Sequence, residues 1–221
     1  MKPMKHPELA QVIDHTLLRP DATPKEVAAI CDEAMDYGFA SVCVNPSMIE
    51  LVAKRLEGSG VAPCCVIGFP FGSHTAEAKA AETRDAVRLG AKEVDMVVNL
   101  GAVKAHDWRL VKKEIEEVVR ATHHLAKVKV ILETCLLTDE EKKKVCLVCV
   151  AAGADFVKTS TGYSTGGATV HDVQLMRSTV GGRCGVKASG GVRTYEDAVK
   201  MLEAGANRIG ASAGIKIVGG E

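Results

Sequence analysis

A short apolar run followed by a longer amphipathic segment recurs along the whole chain, and this repeat most constrains the fold. The runs are rich in Val, Ile, Ala and Cys without strict polar alternation, a pattern typical of strands buried on both faces of a parallel sheet. Eight such strands are predicted, at residues 12–18, 40–44, 62–68, 93–99, 128–133, 155–160, 185–189 and 207–212. Helices are expected between them, and a short tail is expected after the last strand.

Local capping signals mark where the helices begin and end. Thr23, Pro24 and Glu26 supply the N-cap, the first helical position and the capping box of one helix. Gly38 then provides the left-handed residue that ends it. Similar signals predict a helix from Pro46 onward and further helices at residues 75–89, 107–125, 138–151, 170–179 and 195–204.

Eight strand–helix units fit two architectures, a closed (β/α)8 barrel and an open doubly wound sheet. A barrel collects polar side chains at the carboxyl ends of many strands, whereas an open sheet collects them at one switch point. Here such side chains belong to seven of the eight units: Asp14, Thr16, Cys43, Asn45, Asp95, Asn99, Glu133, Lys158, Lys187 and Ser212. We therefore predict an α/β fold, a single-domain (β/α)8 TIM barrel over residues 1–221.

Composition excludes several classes of function. Lys plus Arg and Asp plus Glu both number 28, so no net charge attracts nucleic acid or an anionic membrane. No signal peptide or membrane-spanning run is apparent, and a soluble, cytoplasmic protein is expected. The cysteines are mostly set among apolar residues and are expected to be reduced and buried. Because the histidines share no common face, no metal site is predicted.

One lysine, Lys158, stands at the end of an apolar run and just before small, polar residues. Burial disfavours the ammonium form of a lysine, and the free amine can attack a carbonyl carbon to form a Schiff base. The alternative is a lysine whose stem lies on apolar surface while its ammonium group reaches water. A catalytic assignment therefore depends on which groups surround it.

Two further charged residues occupy comparable places. Lys187 repeats the position of Lys158 on the next strand, so the two ammonium groups are expected to converge at the barrel mouth. Two cations at close range repel, and one of them becomes easier to deprotonate. Asp95 interrupts an apolar strand and could either transfer protons or keep Lys187 charged. Alternatively, Asp95 is a core acid that pairs with a lysine for structure only.

Small residues follow the last three strands and suggest a phosphate site. Barrel enzymes often bind phosphate with the loops after strands seven and eight and a short helix N-terminus. Backbone N–H groups exposed at glycine, together with a hydroxyl group, suit a phosphate dianion, although each Gly-Gly pair alone predicts only a turn. The candidate phosphate-binding residues are Gly166, Gly167, Gly190, Gly191, Gly210 and Ser212.

Five separated motifs together resemble the deoxyribose-phosphate aldolase family, in that family's order and over nearly the whole chain. They are DHTLL at 14–18, EVDMVVN at 93–99, FVKTSTG at 156–162, VKASGGV at 186–192 and RIGAS at 208–212. The resemblance implies that Lys158 forms the Schiff base, that Lys187 makes it easier to deprotonate, and that Asp95 transfers protons. It also implies that the glycine pairs and Ser212 bind phosphate. Candidate supporting residues are Asp14, Thr16, Cys43 and Thr161.

The resemblance implies reversible cleavage of 2-deoxy-D-ribose 5-phosphate to D-glyceraldehyde 3-phosphate and acetaldehyde, with no metal and no other cofactor. The expected partners are small-molecule phosphosugar and aldehyde substrates, and a homo-oligomer is expected. Two rival functions remain open. One is a phosphosugar isomerase or epimerase that uses Asp95 as its base, and the other is a non-catalytic barrel that binds a sugar phosphate. Borohydride trapping separates them, because only an aldolase forms a reducible adduct at Lys158.

Overall fold

The computed structural model describes residues 4–220, in which eight parallel strands close into a barrel. Each strand pairs with the next in the chain, and the eighth pairs with the first. The strands are β1 Ile13–Leu17, β2 Ser41–Val44, β3 Ala62–Ile67, β4 Glu93–Val97, β5 Lys127–Ile131, β6 Phe156–Lys158, β7 Gly185–Ser189 and β8 Arg208–Ala211. The predicted (β/α)8 barrel is confirmed, and the open sheet is wrong. Residues 1–3 and 221 of the predicted single domain lie outside the described residues.

Helices surround the barrel on its outside. Within residues 4–220 they are α1 Pro24–Tyr37, α2 Ile49–Arg55, α3 Ala76–Arg88, α4 Leu100–Lys104, α5 Trp108–Ala121, α6 Asp139–Ala151, α7 Val170–Val180, α8 Tyr195–Glu203 and α9 Gly214–Gly219. Short 3-10 turns precede β1, α2 and α6. None of the helices in this part of the chain combines the length and apolar character needed to cross a bilayer.

Two stretches differ from the sequence prediction. The helix expected at 107–125 is shorter, and α4 precedes it as a separate helix, because Asn99 and Asp107 each cap a helix start with their side chains. The tail expected after β8 is the helix α9, in which Ile217 and Val218 are fully buried. Burial of this apolar pair against the barrel explains why the chain orders there.

The capping signals predicted for helix α1 are confirmed. The backbone N–H of Glu26 donates to Thr23 Oγ1 at 3.3 Å, and the Glu26 carboxylate accepts from the Thr23 N–H at 2.8 Å, which completes the capping box of α1. Gly38 ends the helix in the left-handed region, with φ at 68°. These two caps define where α1 begins and ends.

Successive side chains along each strand face either the surrounding helices or the barrel interior. The apolar strand sequences did not show this alternation. On β4, Val94 and Met96 face the apolar layer between strands and helices. The intervening residue Asp95 faces the barrel interior, where Cys43 and Cys64 also lie. Because parallel strands keep a common register, inward-facing residues of neighbouring strands lie in layers. The charged residues therefore meet inside the barrel.

Cysteine environments follow the prediction with one correction. Seven of the eight cysteines are free and buried, whereas Cys135, in the turn before α6, is free and exposed. Apolar neighbours in the sequence do not bury Cys135, because the turn carries it out of the barrel wall.

Candidate active site

The two lysines singled out by the sequence lie side by side. Lys158 ends β6, and its Cα pairs in register with that of Lys187 on β7. Residues paired in a parallel ladder point to the same side of the sheet, so both side chains enter the barrel interior. Lys158 is 3% exposed and Lys187 is fully buried. The snorkelling alternative for Lys158 is therefore wrong.

Asp95 on β4 lies between the two lysines. Its Oδ2 accepts hydrogen bonds from Lys158 Nζ and from Lys187 Nζ, each at 2.8 Å. Its Oδ1 accepts a hydrogen bond from Lys129 Nζ on β5 at 2.7 Å. Asp95 has no exposed surface. The structure thus brings together the three predicted catalytic residues and adds a third lysine.

The charges in this cluster stabilise one another. Burial opposes ionisation of Asp95, but the ammonium groups of Lys129, Lys158 and Lys187 outweigh it and hold the pKa of that carboxyl well below its usual value. Burial also opposes the charge on Lys187, and Asp14 and Asp95 outweigh it, so the pKa of Lys187 is raised. In the resting protein Asp95 is a carboxylate and Lys187 an ammonium group. Asp14 and Asp95 are thus the groups that favour the charge on Lys187.

A second layer of charge lies beneath these residues. Asp14, a predicted supporting residue on β1, pairs with Lys187 and accepts a hydrogen bond from Arg208 Nη1 at 2.7 Å. Glu93 pairs with Lys129 at 2.7 Å and with Arg208 at 3.0 Å. Burial opposes ionisation of Asp14, and its cationic neighbours outweigh that effect and lower the pKa of this carboxyl.

Sequence reasoning missed Lys129, Glu93 and Arg208. Glu93 and Arg208 are the first residues of their strands, where charges are ordinarily solvated, and Lys129 lies inside an apolar strand. The signal that could have found Lys129 was alternation, since Lys127, Lys129 and Ile131 share one face of a strand whose other face is valine. Only the register shows that this face points inward.

A cavity of about 410 Å³ opens at the carboxyl ends of the strands. Of the predicted site residues, those that line it are Thr16, Lys158, Thr161, Gly190, Gly191, Gly210 and Ser212. Asp14, Cys43, Asp95 and Lys187 are fully buried. Gly166 and Gly167 are not among the lining residues. The cavity therefore has a cationic interior beneath it and a glycine-rich wall.

Three glycines have steric reasons to be glycine. A Cβ at Gly210 would lie 2.9 Å from Lys187 Cε and 2.9 Å from Ser189 Cβ, so this residue makes room for the lysine stem. A Cβ at Gly167 would lie 2.2 Å from the carbonyl oxygen of Gly190. Gly190 itself has φ at 87°, which favours glycine. Gly167 thus supports the cavity wall from behind.

Two arginines and one tyrosine also line the cavity and were not predicted. Arg19 pairs with Asp21 at 2.8 Å, and Arg193 follows the Gly190–Gly191 turn. The charge of Arg19 is also balanced by Glu26, whereas Arg193 places positive charge at the rim, which favours an anionic ligand. The hydroxyl of Tyr163 donates to the Leu18 carbonyl at 2.7 Å. It connects the loop after β6 to the loop after β1.

Glu133, which follows β5, holds the loop after Lys158. Its carboxylate accepts hydrogen bonds from the hydroxyl of Thr161 and, at 3.3 Å, from the Thr161 N–H. Thr161 Oγ1 in turn accepts from the N–H of Tyr163 at 3.0 Å. Glu133 has φ at 56°, an uncommon backbone for a residue other than glycine, and it is 2% exposed. These bonds fix Thr161, a predicted supporting residue, at the cavity edge.

Within residues 4–220, side chains of the types that bind metals form two clusters, and neither suits a cation. Cys43, Cys64 and Asp95 place one potential ligand atom each within 4.8 Å of one another. Asp95 already accepts from three ammonium groups, and Lys129 Nζ lies 3.4 Å from Cys64 Sγ. In the second group, Asp139, His171 and Asp172, both carboxylates pair with the ammonium group of Lys142. Positive charge at both places opposes a further cation.

Comparison with known proteins agrees with this geometry. The chain matches the model of the DeoC/LacD family of aldolases over residues 9–219. It is 60% identical over 213 residues to a deoxyribose-phosphate aldolase of Listeria monocytogenes serotype 4a, covering 96% of each chain. It is 60% identical over 211 residues to one of Clostridium tetani, covering 96% of this chain and 98% of that one. A solved tetrameric deoxyribose phosphate aldolase from Aeropyrum pernix is 38% identical, with a TM-score of 0.89, covering 96% of this chain and 90% of that one.

A closed (β/α)8 barrel with clustered lysines beneath a cavity at the carboxyl ends of its strands has the form of an enzyme site, and the relatives define its chemistry as that of a carbon–carbon lyase. The chain belongs to the DeoC/LacD family of aldolases. The resemblance based on five sequence motifs is confirmed.

Proposed function

We propose that this aldolase cleaves 2-deoxy-D-ribose 5-phosphate reversibly to D-glyceraldehyde 3-phosphate and acetaldehyde, through a Schiff base on Lys158. The observation that carries the proposal is access. Among the described residues, Lys158 is the one member of the lysine cluster that lines the cavity, whereas Lys129 and Lys187 are fully buried. A substrate aldehyde can therefore reach Lys158 alone. The name shared by the relatives supports the choice of substrate.

The first step is attack of Lys158 Nζ on the C1 aldehyde of the open-chain sugar. The amine must first lose a proton, and Asp95 Oδ2, 2.8 Å away, is placed to accept it. Lys187, at the same distance from Asp95 Oδ2, can take that proton once its ammonium group has given up its own. The carbinolamine then loses water to give the protonated imine. Asp95 and Lys187 return the proton that the leaving hydroxyl needs.

The protonated imine accepts the electron pair as the C2–C3 bond breaks, and the Asp95–Lys187 pair takes the proton of the C3 hydroxyl. D-Glyceraldehyde 3-phosphate leaves, and an enamine of acetaldehyde remains on Lys158. The same pair returns that proton to the enamine at C2, and water hydrolyses the resulting imine to release acetaldehyde. The relatives named deoxyribose-phosphate aldolase do not favour an isomerase or epimerase.

We assign phosphate binding to the glycine-rich wall of the cavity. Gly190, Gly191 and Gly210 present backbone there, and Ser212 presents a hydroxyl group next to them. Arg193 adds positive charge at the rim. For Gly166 and Gly167 we propose an indirect role, because Gly167 packs against Gly190 and the Ala168 N–H donates to the Gly190 carbonyl at 2.9 Å.

Assembly and location extend the proposal. We expect a homo-oligomer, supported by the tetrameric Aeropyrum pernix relative. We expect the enzyme to act in the cytoplasm, supported by the bacterial aldolases it resembles and by the absence, among residues 4–220, of a helix suited to crossing a membrane. Supporting roles are proposed for Thr16, whose hydroxyl donates to the Asp14 carbonyl at 2.8 Å, and for the buried thiol of Cys43.

The test is covalent trapping with acetaldehyde and borohydride, followed by mass spectrometry. Wild-type protein should gain a two-carbon adduct on Lys158. Lys158→Arg should gain none there, because a guanidinium group stays charged and cannot attack a carbonyl. Lys200→Arg, on the exposed face of α8, is the matched control and should trap normally. Turnover without any adduct in the wild type would favour an isomerase, and substrate binding without turnover would favour a non-catalytic barrel.

A further inference from the structure

We infer that Lys129 is a positioning residue for the aldolase reaction: by binding one oxygen of Asp95, it turns the other oxygen toward the two lysines above. This inference rests on the proposed function, because it assumes that Asp95 exchanges protons with Lys158 and Lys187. It assigns a role to a buried cation that the reaction steps do not use.

Lys129 has no exposed surface and cannot reach the substrate cavity. It lies on β5 directly beside Asp95, its register partner on β4. Its Nζ donates to Asp95 Oδ1 at 2.7 Å, and Cys64 Sγ donates to the same oxygen at 3.4 Å. A buried lysine in this place is costly unless its charge is paired, which argues for a specific use.

The two oxygens of Asp95 are divided between separate partners. Oδ1 faces Lys129, whereas Oδ2 accepts from both Lys158 and Lys187. A carboxylate is planar and turns easily about its last torsion, for which the staggered preference is weak. Holding Oδ1 therefore sets the position of Oδ2 between the two lysines. Without Lys129, Asp95 is free to rotate and offer both oxygens to Lys158 and Lys187.

A purely structural role for Lys129 would be to neutralise the lower acids, Glu93 and Asp14. Lys129 Nζ does lie 2.7 Å from Glu93 Oε2 and 3.6 Å from Asp14 Oδ2. However, Arg208 already serves both acids, at 3.0 Å and 2.7 Å respectively. Loss of Lys129 leaves those carboxylates with a cation, but it removes the only charged partner that Asp95 Oδ1 has among the described residues. The specific consequence of the loss therefore falls on Asp95.

The experiment separates positioning from charge balance with three variants. Lys129→Met removes the charge but keeps an unbranched side chain. Lys129→Met/Glu93→Gln also removes one acid, so the variant has the same net charge as the wild type. Glu93→Gln alone is the matched control. For each, we would measure urea unfolding, borohydride trapping with acetaldehyde, and the rate at which the acetaldehyde methyl group exchanges with deuterated water.

Lys129→Met should still be trapped at Lys158, while methyl exchange falls by roughly 100-fold, as expected when a catalytic group is misplaced by about 1 Å. The double variant should regain stability but not exchange; Glu93→Gln alone, which keeps the Lys129 donor to Asp95 Oδ1, gives the exchange rate with which the double variant is compared. Recovery of exchange in the double variant would overturn the inference, because Lys129 would then serve charge balance only. So would unchanged exchange in Lys129→Met.

A conservative variant keeps the inference testable if Lys129→Met does not fold. Lys129→Gln retains an N–H donor for Asp95 Oδ1 without a charge, and it should exchange faster than the double variant, which has no donor. Equal rates in the two would contradict a positioning role. Failure of the proposed function looks different, since the wild type itself would then give no trapped adduct.

Discussion

Replacing Asp95 by Asn tests the centre of the charge cluster. The substitution keeps the shape of the side chain and removes a carboxylate that contacts three ammonium groups at 2.7–2.8 Å. Breaking a buried ion pair costs about 3–5 kcal/mol. We expect the lower end, about 3 kcal/mol, because Lys129 and Lys187 keep other carboxylate partners. A domain with the usual stability of about 5–15 kcal/mol remains folded after such a loss.

In the same variant, kcat should fall much further than the loss of folding stability would explain. General acid–base groups contribute roughly 100- to 10,000-fold to a rate, and an amide does not carry protons at neutral pH, so kcat should fall within that range. Methyl exchange of acetaldehyde with deuterated water, followed by NMR, reports the proton step directly, and urea unfolding reports the stability.

The control is Asp172→Asn, which breaks the buried pair with Lys142 at 2.6 Å outside the barrel. It should lose stability without losing kcat. The reasoning is refuted if Asp95→Asn exchanges the methyl group at the wild-type rate. It is also refuted if Asp172→Asn loses kcat to the same extent, because general loosening would then explain both results.

Three further predictions concern the cavity wall, a distant ion pair and acid stability. Ser212→Asp should raise KM for the phosphorylated sugar much more than for free deoxyribose, since a carboxylate there repels the phosphate; equal effects would place Ser212 away from it. Lys79→Met should lower the free energy of unfolding, measured by urea unfolding, by about 3–5 kcal/mol, because its buried partner Glu114, 2.7 Å away, loses its cation. The double variant Lys79→Met/Glu114→Leu should recover most of that loss. Asp14 and Asp95 have pKa values in the folded protein that lie below those in the unfolded chain. The stability that they contribute is therefore present above about pH 4 and is lost as the pH falls below it. Urea midpoints that stay constant from pH 5 to pH 3 would contradict this prediction.

The barrel and the pairing of Lys158 with Lys187 could be predicted because each depends on local patterns. Eight repeats with polar strand ends favour a closed barrel, and two equivalent strand positions on neighbouring parallel strands must face the same way. Asp95 stood out because an acid in an apolar strand requires a partner.

What could not be predicted depends on register and on contacts between distant strands. In the sequence, Lys129 and Arg208 look like ordinary strand residues. The tilt and register of the strands in the barrel determine which face of each strand points inward. Gly166 and Gly167 were predicted to bind phosphate, but they do not line the cavity, and Gly167 packs against Gly190. A glycine pair in a sequence does not show which group lies against it. The exposure of Cys135 likewise depends on the path of one turn.

The ion pair between Arg208 and Asp14 joins positions 194 residues apart and spans the seam where β8 meets β1. Contacts between such distant parts of a chain form late in folding, because their loop-closure entropy is compensated only when most of the chain is ordered. A nascent chain that lacks β8 already contains Lys158, yet it has no closed interior to remove that lysine from water. On the proposed Schiff-base role of Lys158, we therefore expect its reactivity toward aldehydes to begin only when the last strand docks.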